Sequence, residues 1–370
     1  MTGLPHFDAA AVAAVGMAGA IEALRAGSID PTEPSPRGHV PLGPGDDFLL
    51  MPAVSPTGIG VKLVTVLSGN PARGLPLIHG FYLYCDRATG VPRATLDGSA
   101  LTSLRTPAAS AVATDVLARP DVRTLGLFGT GVQARGHVEA MLLVRPDLGE
   151  IVVRGRTEAA SREFAASLDA DGRAVRSGSP EDTAGCDVIC CCTTANEPVV
   201  PTATVQPGAH LNLVGSYSTA RREVDPDLLN ASDVFVDDRQ AAADEAGELM
   251  LASSEGHWSF EKIVGDLSDL VNGREGRIND ERITLFKSVG LATWDLLVAD
   301  RVVDSGLTVD WRPQEWVLVG IDRFSWCAAA QPGHTVVLLG RTGRLGHPGA
   351  VGHVDDRNHR SHGPAVVGRR

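Results

Sequence analysis

Between Thr124 and Met141 the chain reads TLGLFGTGVQARGHVEAM, which sets Gly129, Thr130 and Gly131 between an apolar strand-like run and a helical one. Glycines at this spacing let the backbone turn tightly and approach a ligand closely. A helix opening at Val132 and Gln133 aims unpaired N–H groups and a partial positive charge at whatever sits there. Ala134 supplies the third small residue of the GxGxx(G/A) pattern. The ligand that fits is the pyrophosphate of a dinucleotide. Which dinucleotide is normally decided at the end of the next strand, about 20 residues on, where a carboxylate holds a ribose 2′-hydroxyl. Here that place is VVRGRTEAA, and Arg154, Gly155, Arg156 and Thr157 offer no carboxylate. Two guanidinium groups beside a hydroxyl suit a 2′-phosphate, so the sequence predicts NADP(H) as the preferred cofactor, with NAD(H) as the alternative.

A turn of this kind needs a buried parallel sheet to carry it. TLGLF, EIVVRG, DVICCCTT, AHLNLVG and DVFVDD are short apolar runs separated by helical or loop segments, the pattern of an α/β Rossmann-type domain covered on both faces. The chain ahead of it reads differently. A helical pattern spans Phe7 to Ala26, a Pro/Gly-rich loop follows in GSIDPTEPSPRGHVPLGPGD, and DFLLMPAV, GIGVKLVTV and LPLIHGFYLYCD read as antiparallel strands. Leu101 to Ala118 reads as a helix, with Pro107 tolerable only near its start. Beyond residue 313 the chain is rich in Gly, Arg, Pro and His without periodicity, and a disordered tail over 313–370 is expected.

The totals narrow the partners. A formal charge of −12 and a pI near 5.4 argue against nucleic acid and anionic membrane. Cys85, Cys186, Cys190, Cys191, Cys192 and Cys327 form no CxxC pair and read as reduced. With no signal peptide and no apolar run of about twenty residues, the expected location is the cytoplasm and no membrane span is expected. Asp244, Glu245 and Glu248 form an acidic group on an expected surface helix, and no metal site is expected there.

The strand-rich region carries GVKLVTVLSGNPARGLP and LDGSALTSLRTPAASAVATDVLAR, and GTGVQA follows. Together with HLNLVGSY, REVD, DEAGEL and ITLFKSVGLATWDL, these motifs make the chain resemble the ornithine cyclodeaminase/mu-crystallin family over most of 37–299. The resemblance implies NAD(P) binding, an amino or imino acid substrate and a homodimer. It also implies a Rossmann domain over 118–291 and a discontinuous α+β substrate and dimerisation domain over 1–117 with 292–312. By the same resemblance Arg37, Lys62 and Arg105 hold the substrate carboxylate, a group that in a dry pocket demands a cationic partner. Lys62 is also a candidate proton donor, since a buried lysine can titrate near neutrality. Thr193, Thr194, Ser288, Val289 and Gly290 fall beside the cofactor, and Arg221 aligns with a family lysine near cofactor or substrate.

Two positions depart from the cyclodeaminase pattern. Tyr217 stands where those enzymes carry an aspartate, and a phenol with an ordinary pKa near 10 is no equivalent base at pH 7. Leu77 replaces a threonine near the substrate. The expected activity is therefore NAD(P)H-dependent reduction of a cyclic imino acid or ketimine, such as Δ1-pyrroline-2-carboxylate or Δ1-piperideine-2-carboxylate. Tyr217 either contributes to the pocket or fills space. Two other readings stay open: an ornithine or lysine cyclodeaminase using tightly held NAD and releasing ammonia, and a non-catalytic NADPH-binding protein of the crystallin kind.

Overall fold

The computed structural model describes residues 4–27, 37–215 and 219–306. Its first sheet is built from β1 (His6–Phe7), β2 (Gly38–Gly43), β3 (Asp46–Val54), β4 (Gly58–Val66), β5 (Ile78–Asp86) and β6 (Pro92–Asp97), in the order β1-β6-β5-β4-β3-β2. All neighbours are antiparallel except β1 with β6. Two short helices, α1 (Ala9–Ala13) and α2 (Gly16–Ala26), and the long α3 (Gly98–Leu117) accompany it.

Three local expectations needed correction. The first helical pattern breaks into α1 and α2 because Gly16 adopts φ +70°, a conformation that side-chain-bearing residues resist. The Pro/Gly-rich loop contains β2, an edge strand, where Pro41 has no obligation to donate inward. Pro107 lies inside α3 rather than near its start. Tertiary packing overrides propensity there: its ring is buried against Gly136 of α4 (Val132–Val144), where a Cβ would crowd the ring and the Ser103 carbonyl.

The second sheet is wholly parallel. It contains β7 (Thr124–Phe128), β8 (Glu150–Arg154), β9 (Ala174–Ser177), β10 (Val188–Cys191), β11 (His210–Leu213), β12 (Ser232–Val236), β13 (Ile263–Asp266) and β14 (Ile283–Lys287), in the order β13-β12-β14-β11-β10-β7-β8-β9. The helices between these strands are α4, α5 (Glu158–Ser167), α6 (Pro180–Ala184), α7 (Pro226–Ala231), α8 (Arg239–Glu245), α9 (Gly247–Ser254) and α10 (Leu267–Val271). Strand order reverses between β7 and β10, the place where doubly wound sheets open a crevice at the carboxyl ends of their strands. Every residue of β10, β11 and β12 is buried, as a doubly covered sheet requires, and the run Cys190–Cys191 is part of that packing.

The last described helix, α11 (Ala292–Asp304), returns to the first sheet and packs on α2, α3, β3 and β4. This return brings the chain after β14 against Lys62. The expected tail over 313–370 lies outside the described residues. No described helix is long and apolar enough to cross a membrane.

Candidate active site

Lys62 and Arg105 come from different elements and meet on one carboxylate. Lys62 sits mid-strand in β4, and alternation turns it to the face opposite Val61 and Leu63. Its side chain is 1% exposed, with Nζ 2.7 Å from Oδ2 and 2.9 Å from Oδ1 of Asp295, and it donates to Oγ1 of Thr102 at 3.0 Å. Arg105 of α3 donates through Nε to the same Asp295 at 3.1 Å. Asp295 stands in the first turn of α11 and is fully buried. Burial, helped by the Arg105 charge and opposed by Asp295, lowers the Lys62 ammonium to a pKa of about 7. Asp295 takes Nε of Arg105, and among the described residues no protein group is bonded to its two terminal amino groups. That pair is the edge of a guanidinium that binds a carboxylate in bidentate fashion.

The segment after β14 closes over this group. Oδ2 of the buried Asp237 accepts from the Val289 and Gly290 amides, both at 2.7 Å, and from the Ser288 hydroxyl at 3.2 Å. Burial raises the Asp237 pKa against these bonds. Gly290 adopts φ +84°, and a Cβ there would overlap the Arg105 guanidinium. Arg37 reaches the same segment, donating through Nη2 to the carbonyls of Val289 at 3.1 Å and Gly290 at 2.9 Å. Its Nη1 pairs with Glu245 of α8 at 2.6 Å. Both terminal amino groups of Arg37 thus have protein partners, unlike those of Arg105. Leu77 packs with Ala292 against the apolar patch of Leu49, Met51, Val64 and Val66, on the Lys62 face of the sheet.

The glycine turn lies at the carboxyl end of β7. Gly129 adopts φ +116°, a Cβ on it would overlap the Cys192 carbonyl, and its amide donates to the Arg154 carbonyl at 2.8 Å. Thr130 follows, and its methyl approaches Gly155 so closely that a Cβ there would collide with it. Gly131 is the N-cap of α4 and carries no side-chain cap; a Cβ on it would meet nothing, so the space before the helix is open. Val132 is 64% exposed at the first helical position. Gln133 donates to the Thr102 carbonyl at 3.4 Å, so Thr102 touches both the glycine-turn helix and Lys62. Open amides, an exposed apolar side chain and glycine where a side chain would collide fit a dinucleotide pyrophosphate.

Arg154, Arg156 and Thr157 lie beside this turn. Arg156 is exposed, Arg154 is half-buried, and the Thr157 hydroxyl caps α5 by accepting from Ala160 N at 3.2 Å. Glu158, the next carboxylate along the chain, pairs with Arg162 at 2.6 Å. Thr193 follows β10 and is held by Glu223, while Thr194 is exposed. Arg221 is half-buried on the loop before α7. Tyr217 lies outside the described residues.

The acidic group expected on a surface helix needs a correction. Glu245 pairs with Arg37, and Glu248 of α9 is buried with Oε2 3.0 Å from Nζ of the equally buried Lys287. These carboxylates serve as counter-ions. The sequence reading also missed Asp295, Asp237, Thr102 and Glu223. A lone carboxylate inside the apolar run GLATWDLLVA is the signal that points to Asp295, because a buried acid needs a cation.

A family model, ornithine cyclodeaminase/mu-crystallin, matches residues 17–308. The chain belongs to that family. This family member is 36% identical over 297 residues to Δ1-pyrroline-2-carboxylate reductase of Bacillus thuringiensis subsp. konkukian (strain 97-27), covering 77% of this chain and 91% of the relative. It is 35% identical over 289 residues to the reductase of that name from Paracoccus denitrificans (strain Pd 1222), covering 76% and 90%. Among solved structures it is similar to Thermococcus litoralis Δ1-pyrroline-2-carboxylate reductase in complex with NADH and L-proline, at a TM-score of 0.78 and 28% identity, covering 83% of this chain and 99% of that one. An archaeal alanine dehydrogenase dimer with bound NAD gives a TM-score of 0.78 at 30% identity, covering 82% and 96%. The family's α/β architecture, with its parallel Rossmann-like sheet and its second sheet, is the one this chain adopts.

Proposed function

We propose that this chain is an NAD(P)H-dependent reductase of a cyclic imino acid, with Δ1-pyrroline-2-carboxylate or Δ1-piperideine-2-carboxylate as substrate and proline or pipecolate as product. The observation that carries the reading is the pairing of Lys62 and Arg105 on Asp295 beside the Ser288–Gly290 segment. Arg105 offers its two terminal amino groups to the substrate carboxylate. Lys62, poised near neutrality by burial, presents a proton at the imine nitrogen. A bound nicotinamide supplies the hydride. The protein fixes the acceptor and excludes water around it, since Lys62 and Asp295 are buried and Leu77 with its neighbours lines the apolar wall. Asp295 holds both cations in place. Arg37 ties the first sheet to the segment over the site, with its terminal amino groups engaged by the Val289 and Gly290 carbonyls and by Glu245.

In this reading Gly129, Thr130, Gly131, Val132 and Gln133 receive the pyrophosphate, Thr193 and Thr194 flank the nicotinamide half, and Arg154 with Arg156 takes a 2′-phosphate. The absence of a free carboxylate from the end of β8 supports NADP(H) over NAD(H). A homodimer through the outer face of the first sheet completes the assembly. That face carries Leu50, Leu63 and Phe81 in register, and Phe81 is 43% exposed.

The decisive experiment follows NADPH and NADH absorbance at 340 nm with each cyclic imine, beside an ammonia assay with ornithine and lysine. Imine-dependent NADPH loss is the expected outcome. Ammonia release without NADPH loss would replace the reductase with a cyclodeaminase, and cofactor binding without turnover of any substrate would leave a binding protein.

A further inference from the structure

Behind the strand ends lies a group of charges that the reaction itself does not use. Glu223 is fully buried, and its carboxylate accepts three bonds: Oε1 takes the Thr193 amide at 2.8 Å and the Thr193 hydroxyl at 2.7 Å, and Oε2 takes the Gly215 amide at 2.9 Å. Its own amide donates to Oε1 of Glu248 at 3.1 Å, and Oε2 of Glu248 lies 3.0 Å from Nζ of Lys287. Thr193 follows β10, Gly215 follows β11, and Lys287 closes β14 directly before Ser288. One linked set therefore ties the carboxyl ends of three neighbouring strands, at the edge of the sheet where this architecture binds its ligand.

Stability alone does not account for such an arrangement, because burying two carboxylates and one ammonium is often no better than apolar packing. The contact is also tight. A Cβ on Gly215 would overlap both the Thr193 carbonyl and Glu223 Oε1, so the two loops are drawn together as far as a glycine permits. Three donors converge on Glu223, and only a group that accepts at both oxygens satisfies them.

We propose that Glu223 is a positioning residue for the nicotinamide half of the cofactor site, acting through Thr193 and Gly215. The proposal rests on reading Gly129–Gly131 as a dinucleotide turn. Glu223→Gln keeps the volume but turns one of the two arms into an N–H donor facing another donor, so either Thr193 or Gly215 is released.

The test begins with NADPH and NADH titrations of the wild-type chain by nicotinamide fluorescence, followed by steady-state kinetics and thermal melting of Glu223→Gln. The expected result is a KM for the cofactor raised about tenfold or more in a protein that still melts cooperatively, with a smaller change in the KM for the imine. A merely structural role would reduce the folded fraction, lowering apparent kcat while leaving the cofactor KM unchanged. Should Glu223→Gln not fold, Thr193→Val removes one donor and leaves the buried charges intact; it should move the cofactor KM in the same direction by a smaller factor. Cofactor KM within twofold of wild type in the folded variant overturns the positioning role. A wild-type chain that binds neither NADH nor NADPH overturns the dinucleotide reading itself, and the proposal with it.

Discussion

Lys62 and Asp295 lie 233 positions apart in sequence, yet Nζ and Oδ1 are 2.9 Å apart, with both side chains almost wholly shielded from bulk water. The pair joins a strand of the first sheet to the helix that follows the second, and it sets the protonation of the group expected to act on the substrate. Lys62 is held well below its ordinary value, at about 7. Its acidic form is the one that can donate. Activity toward the imine should therefore be full below pH 7 and fall as pH rises through that value, seen as a descending limb in kcat/KM. Lys62→Met should remove that limb and lower kcat by about 100-fold or more. A variant that keeps kcat and changes only KM would exclude proton transfer by Lys62.

Asp295→Asn tests the other half of the pair. Asp295 is the group that raises the Lys62 pKa against burial, so neutralising it should move the descending limb to lower pH. The change also leaves two buried cations without their counter-ion, at a cost of about 3–5 kcal/mol in stability. Kinetics and melting temperature recorded on the same preparation separate the two effects. An unchanged limb in folded enzyme would mean that Asp295 does not govern Lys62.

Gly290→Ala places a methyl group into the Arg105 guanidinium at a backbone angle that favours glycine. The expected consequence is displacement of the carboxylate clamp, raising the KM for the imine about tenfold or more. Equal KM values for variant and wild type would show that Arg105 adjusts at no expense to binding.

Cofactor choice turns on the end of β8. The ratio of kcat/KM for NADPH to that for NADH should exceed one in the wild type, and Arg156→Ala should reduce it about tenfold, as expected for loss of one charge-assisted phosphate contact. Stronger use of NADH by the wild-type chain would reverse this assignment.

Two buried histidines set an acid limit on the fold. Burial lowers His137 to about 4 and His210 to about 3 from an ordinary value near 6.5. Below pH 6.5 the unfolded chain takes up protons that the folded chain refuses, so stability should fall as pH drops from 6.5 towards 4. The His137 Nδ1–H donates to the Gln133 carbonyl at 2.8 Å and Nε2 accepts from the Ser110 hydroxyl at 2.9 Å, which fixes the neutral tautomer and places this loss within the glycine-turn helix. Thermal melts between pH 7 and 5 should show a falling midpoint, and a flat profile would contradict it.

Local chemistry made part of this protein legible without coordinates. The glycine-containing turn between strand and helix and the parallel strands each depend on a few adjacent residues, so they can be read in one dimension. The helix break at Gly16, the edge strand hidden in the Pro/Gly-rich loop and the interior position of Pro107 did not: a glycine permits a left-handed turn without requiring one, the edge strand depends on β3 as its partner, and Pro107 is held against Gly136 of α4. The site divides the same way. Lys62 and Arg105 were marked by the family resemblance, but the acid that pairs them arrives from α11, and of the acids expected on a surface helix Glu245 and Glu248 turn inward to meet Arg37 and Lys287 while Asp244 stays exposed. A buried charge is specified by what compensates it, and that partner is chosen by the fold of the whole chain: sequence determined which groups were available for catalysis, and tertiary structure alone decided which of them face one another.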